Sequence, residues 1–480
     1  MQFNSLSFLI FFPTVCALAA ILSPICMKNT AADRLLRLRQ IMLLLASYVF
    51  YGWWNWKCCF LMLLMTAVAY FCAIENEKSG RKISLYIGVI FPLIILGIFK
   101  YFNFFIDSFC AAFGIVRAGT LNILLPVGIS FYTFQSLSYT LDVYRGRLKP
   151  EEDFIRLALY ISFFPQLVAG PIVKAGEFIP QLYEDRRISL KNLELGLQIF
   201  AFGLFKKIVL ADNISVFVDA VHQAPGAYSA VTLLLAAYAY AIQIYCDFSG
   251  YSDMAVGCAK CLGYDLPRNF NLPYLARNVS EFWHRWHISL STWLQEYLYI
   301  SLGGNRCSAA RQRLNLFLTM TIGGLWHGAN WTFVLWGALH GVALIFHKEF
   351  HKLCKKLGFE GKNPVAAFVS VLLTFSYVSL CLVVFRASSI TKAWHFICAI
   401  FTLQPGITHI SFWAVLAFVL TGLASLAAII KSRREGKAPE GYYPVLSLNS
   451  IRGLAIFFTF IGLILGLAYT GEAPFIYFQF

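Results

Sequence analysis

The sequence predicts an all-α, polytopic membrane protein, and three observations carry that prediction. Hydrophobic residues make up 59% of the 480 and charged ones only 13%, against roughly a quarter charged in an ordinary soluble domain. Mean hydropathy is +0.66. Uncharged runs recur along the whole length, which excludes a disordered chain, a collagen-like chain and a small disulfide scaffold.

Runs of 17 or more residues free of Asp, Glu, Lys and Arg cover residues 1–27, 40–56, 58–74, 83–99, 118–141, 157–173, 225–246, 314–346, 363–385, 393–430 and 453–471. A spanning helix needs about 17–25 such residues, so about eleven spans are expected. Runs carrying Pro or Gly, and those too long for one span, predict additional re-entrant or interfacial helices.

The first run has no basic residue before it, while Lys28, Arg34, Arg37 and Arg39 follow it. This predicts an external N-terminus under the positive-inside rule and argues against a cleaved signal peptide. Lys78, Arg81 and Lys82 return the chain to the cytoplasmic side, and the short runs at 40–56 and 58–74 span between the two loops.

The formal net charge of +15 would suggest nucleic-acid binding in a soluble protein. Here Lys and Arg sit in short loops, where they set topology and meet anionic lipid headgroups, so no nucleic acid is expected as a partner. The 13 Cys, an odd number, lie mostly in apolar runs and read as buried thiols. No soluble domain or internal repeat is evident. The chain divides into N-terminal spans (1–117), a catalytic core (118–346) and C-terminal spans (347–480).

The core is apolar yet studded with Gly, Pro, His, Asn, Asp, Gln and Trp between Pro126 and His340. Such groups are expensive at membrane depth unless they face a cavity or one another, so a site belongs here. His327 lies in Leu325-Trp326-His327-Gly328-Ala329-Asn330-Trp331, with Gly323 and Gly324 just before it. Glycines let backbones approach and helices break. Read structurally, an intramembrane His only hydrogen-bonds a neighbouring helix. Read functionally, it is an ionisable group kept for chemistry.

Glu281 to Trp293 alternates aromatics with His284, Arg285 and His287. As one helix it would place Trp283, Trp286, Leu290 and Trp293 on a stripe, with His284 and His287 on an adjacent face. It reads as an amphipathic interfacial helix, or as the carrier of a second histidine for the His327 cavity. Glu281, His284, His287 and the Cys258–Cys261 pair also suggest metal ligands, but a second CxxC is missing and no metal is expected. Asp247 and Ser249 close an apolar run and read as caps of the next helix. The segments at 125–135, which contains Gln135, and 164–172 read as kinked or re-entrant pieces lining a cavity.

Together the series LPVGISFYTFQSLSYTLDVYR, FFPQLVAGPI, DFSGYSDMA, NFNLPYLARNVSEFWHRWHISLSTWLQEYLYISLGGN and GGLWHGANWTFVLWG resembles the membrane-bound O-acyltransferase family, in its bacterial polysaccharide O-acetylation branch. The resemblance runs in order and spacing from Pro126 to His340. It implies a ring of tilted helices around a thinned centre, with a histidine deep in a funnel or tunnel. It also implies that the essential histidine falls on His327 and the second on His287. Members of that branch usually carry Arg at the position of His284, a departure that leaves the histidine pair intact.

By this resemblance the reaction is transfer of an acetyl group from acetyl-CoA, a substrate and not a bound cofactor, toward hydroxyls of an extracytoplasmic glycan. The relatives work with a separate SGNH-type extracytoplasmic transferase and sit in the cell's cytoplasmic membrane. An imidazole, with an ordinary pKa of about 6.5, can take a proton from the attacking hydroxyl and return it to the leaving thiolate. His327 is the expected base. His287, Asn330 or a backbone N–H near Gly323 and Gly324 would orient it or stabilise the oxyanion. Asp247, Ser249, Trp326, Arg285 and Gln135 complete the expected site as substrate-binding or supporting residues. A transporter, or a non-catalytic scaffold of a polysaccharide export machine, is the alternative. The first should show repeated halves, and the second has no need of His327.

The charge pattern makes a topological prediction. Single cysteines at positions 34 and 81, in a background stripped of native cysteines, should resist an impermeant thiol reagent in intact cells and react after permeabilisation. Labelling in intact cells would invert the topology.

Overall fold

Helices form wherever the long apolar runs permit, because backbone groups away from water must be satisfied within the segment. The computed structural model describes all residues except 24–29, 118, 121–122, 185, 187, 359–362, 436–445, 472–474 and 477–480. Lys28, one of the residues that the charge pattern places in the cytoplasm, lies outside the described residues, as does the start of the 118–141 run. Among the described residues the only β-type pairing is an isolated parallel bridge, Tyr228 to Ile407.

The chain separates into two compact units, 1–203 with 251–267 and 445–457, and 204–250 with 268–444 and 458–480. The first holds α1 (Leu6–Ile21), α2 (Thr30–Asn55), α3 (Lys57–Ser79), α4 (Lys82–Leu96), α5 (Phe102–Phe113), α6 (Ile129–Tyr144), α7 (Phe154–Ser162), α8 (Phe164–Leu167), α9 (Ala175–Tyr183) and nearly all of α10 (Leu190–Leu204). The second holds α11 (Asp212–Gln223), most of α12 (Ala230–Cys261), α13 (Val279–Arg285), α14 (Ile288–Trp293), α15 (Ala309–His327), α16 (Trp331–Lys356), α17 (Pro364–Arg386), α18 (Ile390–Phe401) and α19 (Phe412–Glu435). The last helix, α20 (Ile451–Leu467), begins in the first unit and ends in the second.

Six helical stretches among the described residues are long and apolar enough to cross a membrane: 32–55, 57–79, 82–113, 230–261, 364–386 and 412–435. Shorter apolar helices are α1, α18 and α20. Large apolar side chains such as Phe60, Phe71, Ile83, Phe368 and Leu373 stand exposed, as lipid-facing helix surfaces require.

Several apolar runs are cut where the sequence carries breakers. Residues 157–173 are not one helix: α7 ends at Ser162, α8 lasts four residues, and the Gly170-Pro171 stretch follows without helix. The 118–141 run becomes helical only at Ile129, after Gly128 in the left-handed region (φ +76°). A Cβ there would lie 2.6 Å from the Leu167 carbonyl oxygen, so the two broken segments pack backbone to backbone. The basic stretch Arg34 to Arg39 is not a loop, since it lies in the first turns of α2. Arg39 is fully buried there, donating to the carbonyls of Leu262 (2.6 Å) and Arg186.

In the second unit α15 and α16 form the tightest pair. A Cβ on Gly337 would meet the Met320 carbonyl oxygen at 2.3 Å, and one on Gly324 would meet that of Phe333 at 2.3 Å. Only bare backbone permits this approach. Gly337→Ala should therefore lower the thermal midpoint of the detergent-solubilised protein, by a destabilisation of about 1–3 kcal/mol. Gly422→Ala on α19, where the added methyl meets nothing within 4 Å, should leave the midpoint unchanged.

Candidate active site

The expected amphipathic helix through Glu281 to Trp293 is two helices with a break between them. Residue His287 takes the left-handed conformation (φ +42°), a region sparsely used by non-glycine residues. The segment 269–271 holds the break open. The Ile288 N–H donates to the Asn269 carbonyl (2.9 Å), the Asn271 N–H to the Arg285 carbonyl (2.9 Å), and the Ser289 hydroxyl to Asn269 Oδ1 (2.6 Å). The break separates the two histidines that one helix would have put together. His284 is exposed and hydrogen-bonded to the Ser280 carbonyl, whereas His287 is fully buried. Among the described residues no group of three or more His, Cys, Asp or Glu is placed to hold a metal ion.

His327 ends α15 and is 5% exposed. Its ring stands edge-on to Trp326 (5.0 Å between centroids), Trp336 (5.2 Å) and Phe385 (5.3 Å). Trp326 also reaches His287 (6.0 Å), so it lies against both expected histidines. Phe248 of α12 covers His287 from another side at 4.6 Å. Neither ring nitrogen of His287 has a hydrogen-bond partner among the described residues, and burial holds its imidazole down, to about 3.

The other expected residues divide by what they touch. Asn330 is the N-cap of α16, accepting from the Thr332 N–H (3.0 Å), and its amide reaches the Ser388 carbonyl (3.4 Å). Arg285 pairs with Glu281 (2.9 Å) and donates to the Asn271 carbonyl (3.1 Å), clamping the segment that breaks the helix. Gln135 lies on α6 in the first unit, buried, with its Oε1 unpartnered among the described residues. Gly323 and Gly324 lie inside α15, where backbone N–H groups serve the helix.

Asp247 and Ser249 do not cap a new helix, because α12 runs through them from Ala230 to Cys261. They sit instead in a buried charge cluster. Lys207 joins Asp247 (2.7 Å) and Asp212 (2.7 Å), Lys206 donates to Ser249 (2.9 Å), and the Ile476 N–H donates to Asp247 (3.0 Å). Both lysines come from a π-helical segment, Phe205–Ala211, whose wider turn brings adjacent side chains inward together. The cluster places Phe248, between Asp247 and Ser249, against His287.

Sequence reasoning passed over Lys206 and Lys207, although two adjacent lysines in an otherwise apolar stretch were a signal. It also passed over His340. This residue is fully buried on α16, one turn beyond Trp336 (4.9 Å between rings), and its Nδ1 accepts from Trp283 Nε1 (3.3 Å). Histidine and tryptophan rings thus alternate from His287 through Trp326, His327 and Trp336 to His340.

Residues 152–385, which contain all of these rings, match the membrane-bound O-acyltransferase family. The chain is 40% identical over 376 residues to a probable alginate O-acetylase of Pseudomonas aeruginosa, covering 76% of this chain and 70% of that protein. It is 35% identical over 483 residues to a probable alginate O-acetylase of Azotobacter vinelandii, covering 92% and 95%. To a peptidoglycan O-acetyltransferase of Helicobacter pylori it is 38% identical over 386 residues, covering 74% and 72%. The chain belongs to the membrane-bound O-acyltransferase family. It is a multi-pass membrane enzyme of the O-acyltransferase class.

Lys207→Met leaves Asp212 and Asp247 without their shared cation, and removing one partner of a buried pair costs about 3–5 kcal/mol. The variant should show a strongly lowered thermal midpoint. The double variant Lys207→Met/Asp247→Asn, with one stranded charge neutralised, should recover part of that loss.

Proposed function

We propose that this enzyme moves an acetyl group from acetyl-CoA at the cytoplasmic face of the cytoplasmic membrane to hydroxyls of an extracytoplasmic polysaccharide, with His327 as general base. The observation that carries the reading is the position of His327. It is a buried imidazole at the end of a helix, in an uncharged stretch, walled by Trp326, Trp336 and Phe385 within the family-matching region. The names of the relatives, alginate and peptidoglycan O-acetylating proteins, support acetyl as the acyl group and a cell-envelope glycan as the acceptor class.

In this mechanism an acceptor hydroxyl attacks the thioester carbonyl while His327 takes its proton. The tetrahedral intermediate collapses, the C–S bond breaks, and the imidazolium returns the proton to the leaving thiolate. His287, enclosed by Phe248 and Trp326, supports the site from the far side of Trp326. An SGNH-type transferase outside the membrane receives the acetyl group and completes delivery to the glycan. Asp247, Ser249 and Arg285 act by holding Phe248 and the broken helix in place, and Asn330 by starting α16.

His327→Ala should abolish release of CoA from acetyl-CoA by membrane vesicles while leaving expression and insertion normal. His287→Ala should lower the rate strongly, and His284→Arg should be tolerated because position 284 faces outward. With His327 as proton acceptor, the wild-type rate falls on the acid side as the imidazole protonates. Uptake of intact acetyl-CoA without thioester cleavage, or normal activity from well-inserted His327→Ala, would overturn the reading.

A further inference from the structure

The hydrogen bond from Trp283 to His340 determines which nitrogen of His340 carries its proton. An indole N–H is a donor only, so His340 Nδ1, 3.3 Å away, accepts and is unprotonated. In the neutral imidazole the proton is then on Nε2. That Nε2–H is fully buried and has no partner among the described residues. The indole N–H of Trp336, 3% exposed, is likewise without a partner. The two rings lie 4.9 Å apart, and Trp336 is the ring that stands against His327 at 5.2 Å.

Buried N–H groups almost always find an acceptor, because leaving one unpaired forfeits its hydration. Here two such groups, both donors, lie on adjoining rings of α16, one of which stands against the expected base, and the walls around them are aromatic: Phe282, Phe385 and Tyr377. Two donors with no acceptor of their own suit an oxygen that only accepts. A water or hydroxyl would bring hydrogens needing further partners, whereas a carbonyl oxygen brings none.

We propose that the Trp336 indole N–H and the His340 Nε2–H are catalytic donors that receive the thioester carbonyl oxygen and stabilise the oxyanion formed on it. The proposal rests on the reading of His327 as base. When the acceptor hydroxyl adds to the carbonyl carbon, the C=O π pair moves to oxygen and its charge is met by the two N–H groups. His327 holds the hydroxyl proton. Re-formation of C=O expels the thiolate, which takes that proton back, and neither donor changes protonation state. Trp283 acts as a positioning residue, since its bond to Nδ1 keeps the donor on Nε2.

The test uses inverted membrane vesicles from cells expressing the full chain, which retain the envelope acceptor, with acetyl-CoA supplied outside. CoA release is compared with that from the dithioester analogue, whose carbonyl oxygen is replaced by sulfur, a weaker acceptor. His340→Phe and Trp336→Phe should each lower kcat about 10²–10³-fold, as loss of one oxyanion donor does elsewhere. KM should stay within about threefold, and the oxygen-to-sulfur rate ratio should collapse. His340→Gln, which keeps an N–H near the Nε2 position, should retain most of the activity and the ratio. The acid limb of the pH profile should be unchanged in all three. If His340→Phe is not recovered folded, Trp336→Phe decides alone by the same ratio. Wild-type kcat, or an unchanged oxygen-to-sulfur ratio, in a folded donor variant overturns the oxygen seat. Activity remaining in His327→Ala overturns the base assignment instead, and this proposal with it.

Discussion

The close approach of α15 and α16 sets the positions of the groups that matter chemically in this protein. With carbonyl oxygens 2.3 Å from where side chains would begin, the two helices are held by their own backbones at Gly324 and Gly337. His327 ends one helix, and Trp336 and His340 lie on the other, so the spacing of the imidazole from the two N–H groups is inherited from backbone contact. Backbone contact is stiffer than side-chain packing, which suits a site where a misplacement of about 1 Å is costly. Asn330 turns the chain between them, and Gly328 leaves room for the Phe333 ring, which a Cβ there would meet at 2.2 Å.

The same unit handles charge by concentrating it. Lys207, Asp212 and Asp247 are buried together and joined by short bonds, so the cost of desolvating them is offset by one another, and the buried Lys206 beside Lys207 donates to Ser249. The rings that stand against His327 are tryptophan and phenylalanine. Hydrogen bonds in such an apolar enclosure are electrostatically stronger than in water. The charge cluster anchors the helix that supplies the Phe248 wall of His287.

The all-helical membrane architecture is legible because uncharged runs of spanning length admit few other folds. His327 is legible for a related reason, being ionisable where ionisable groups are expensive. The break at His287 is not, because helical periodicity continues through Trp283, Trp286, Leu290 and Trp293 while the break is imposed from elsewhere, by Asn269 and Asn271. Asp247 and Ser249 look like caps because their partners, Lys206 and Lys207, are some forty residues away in sequence and share a face only through a π-helical turn. Local pattern carries no trace of such pairings. His340 is hidden differently: in the apolar first part of α16 it is indistinguishable from a packed core histidine, and only the direction of the Trp283 bond shows that its other nitrogen must donate.

The hydrogen bond from the Ile476 backbone to Asp247 spans 229 residues. Its consequence concerns assembly. Lys207 and Asp212 stand five residues apart and can pair locally, whereas the second oxygen of Asp247 takes its donor from a residue 229 positions on, so the cluster behind the His287 wall is complete only when distant parts of the chain have come together.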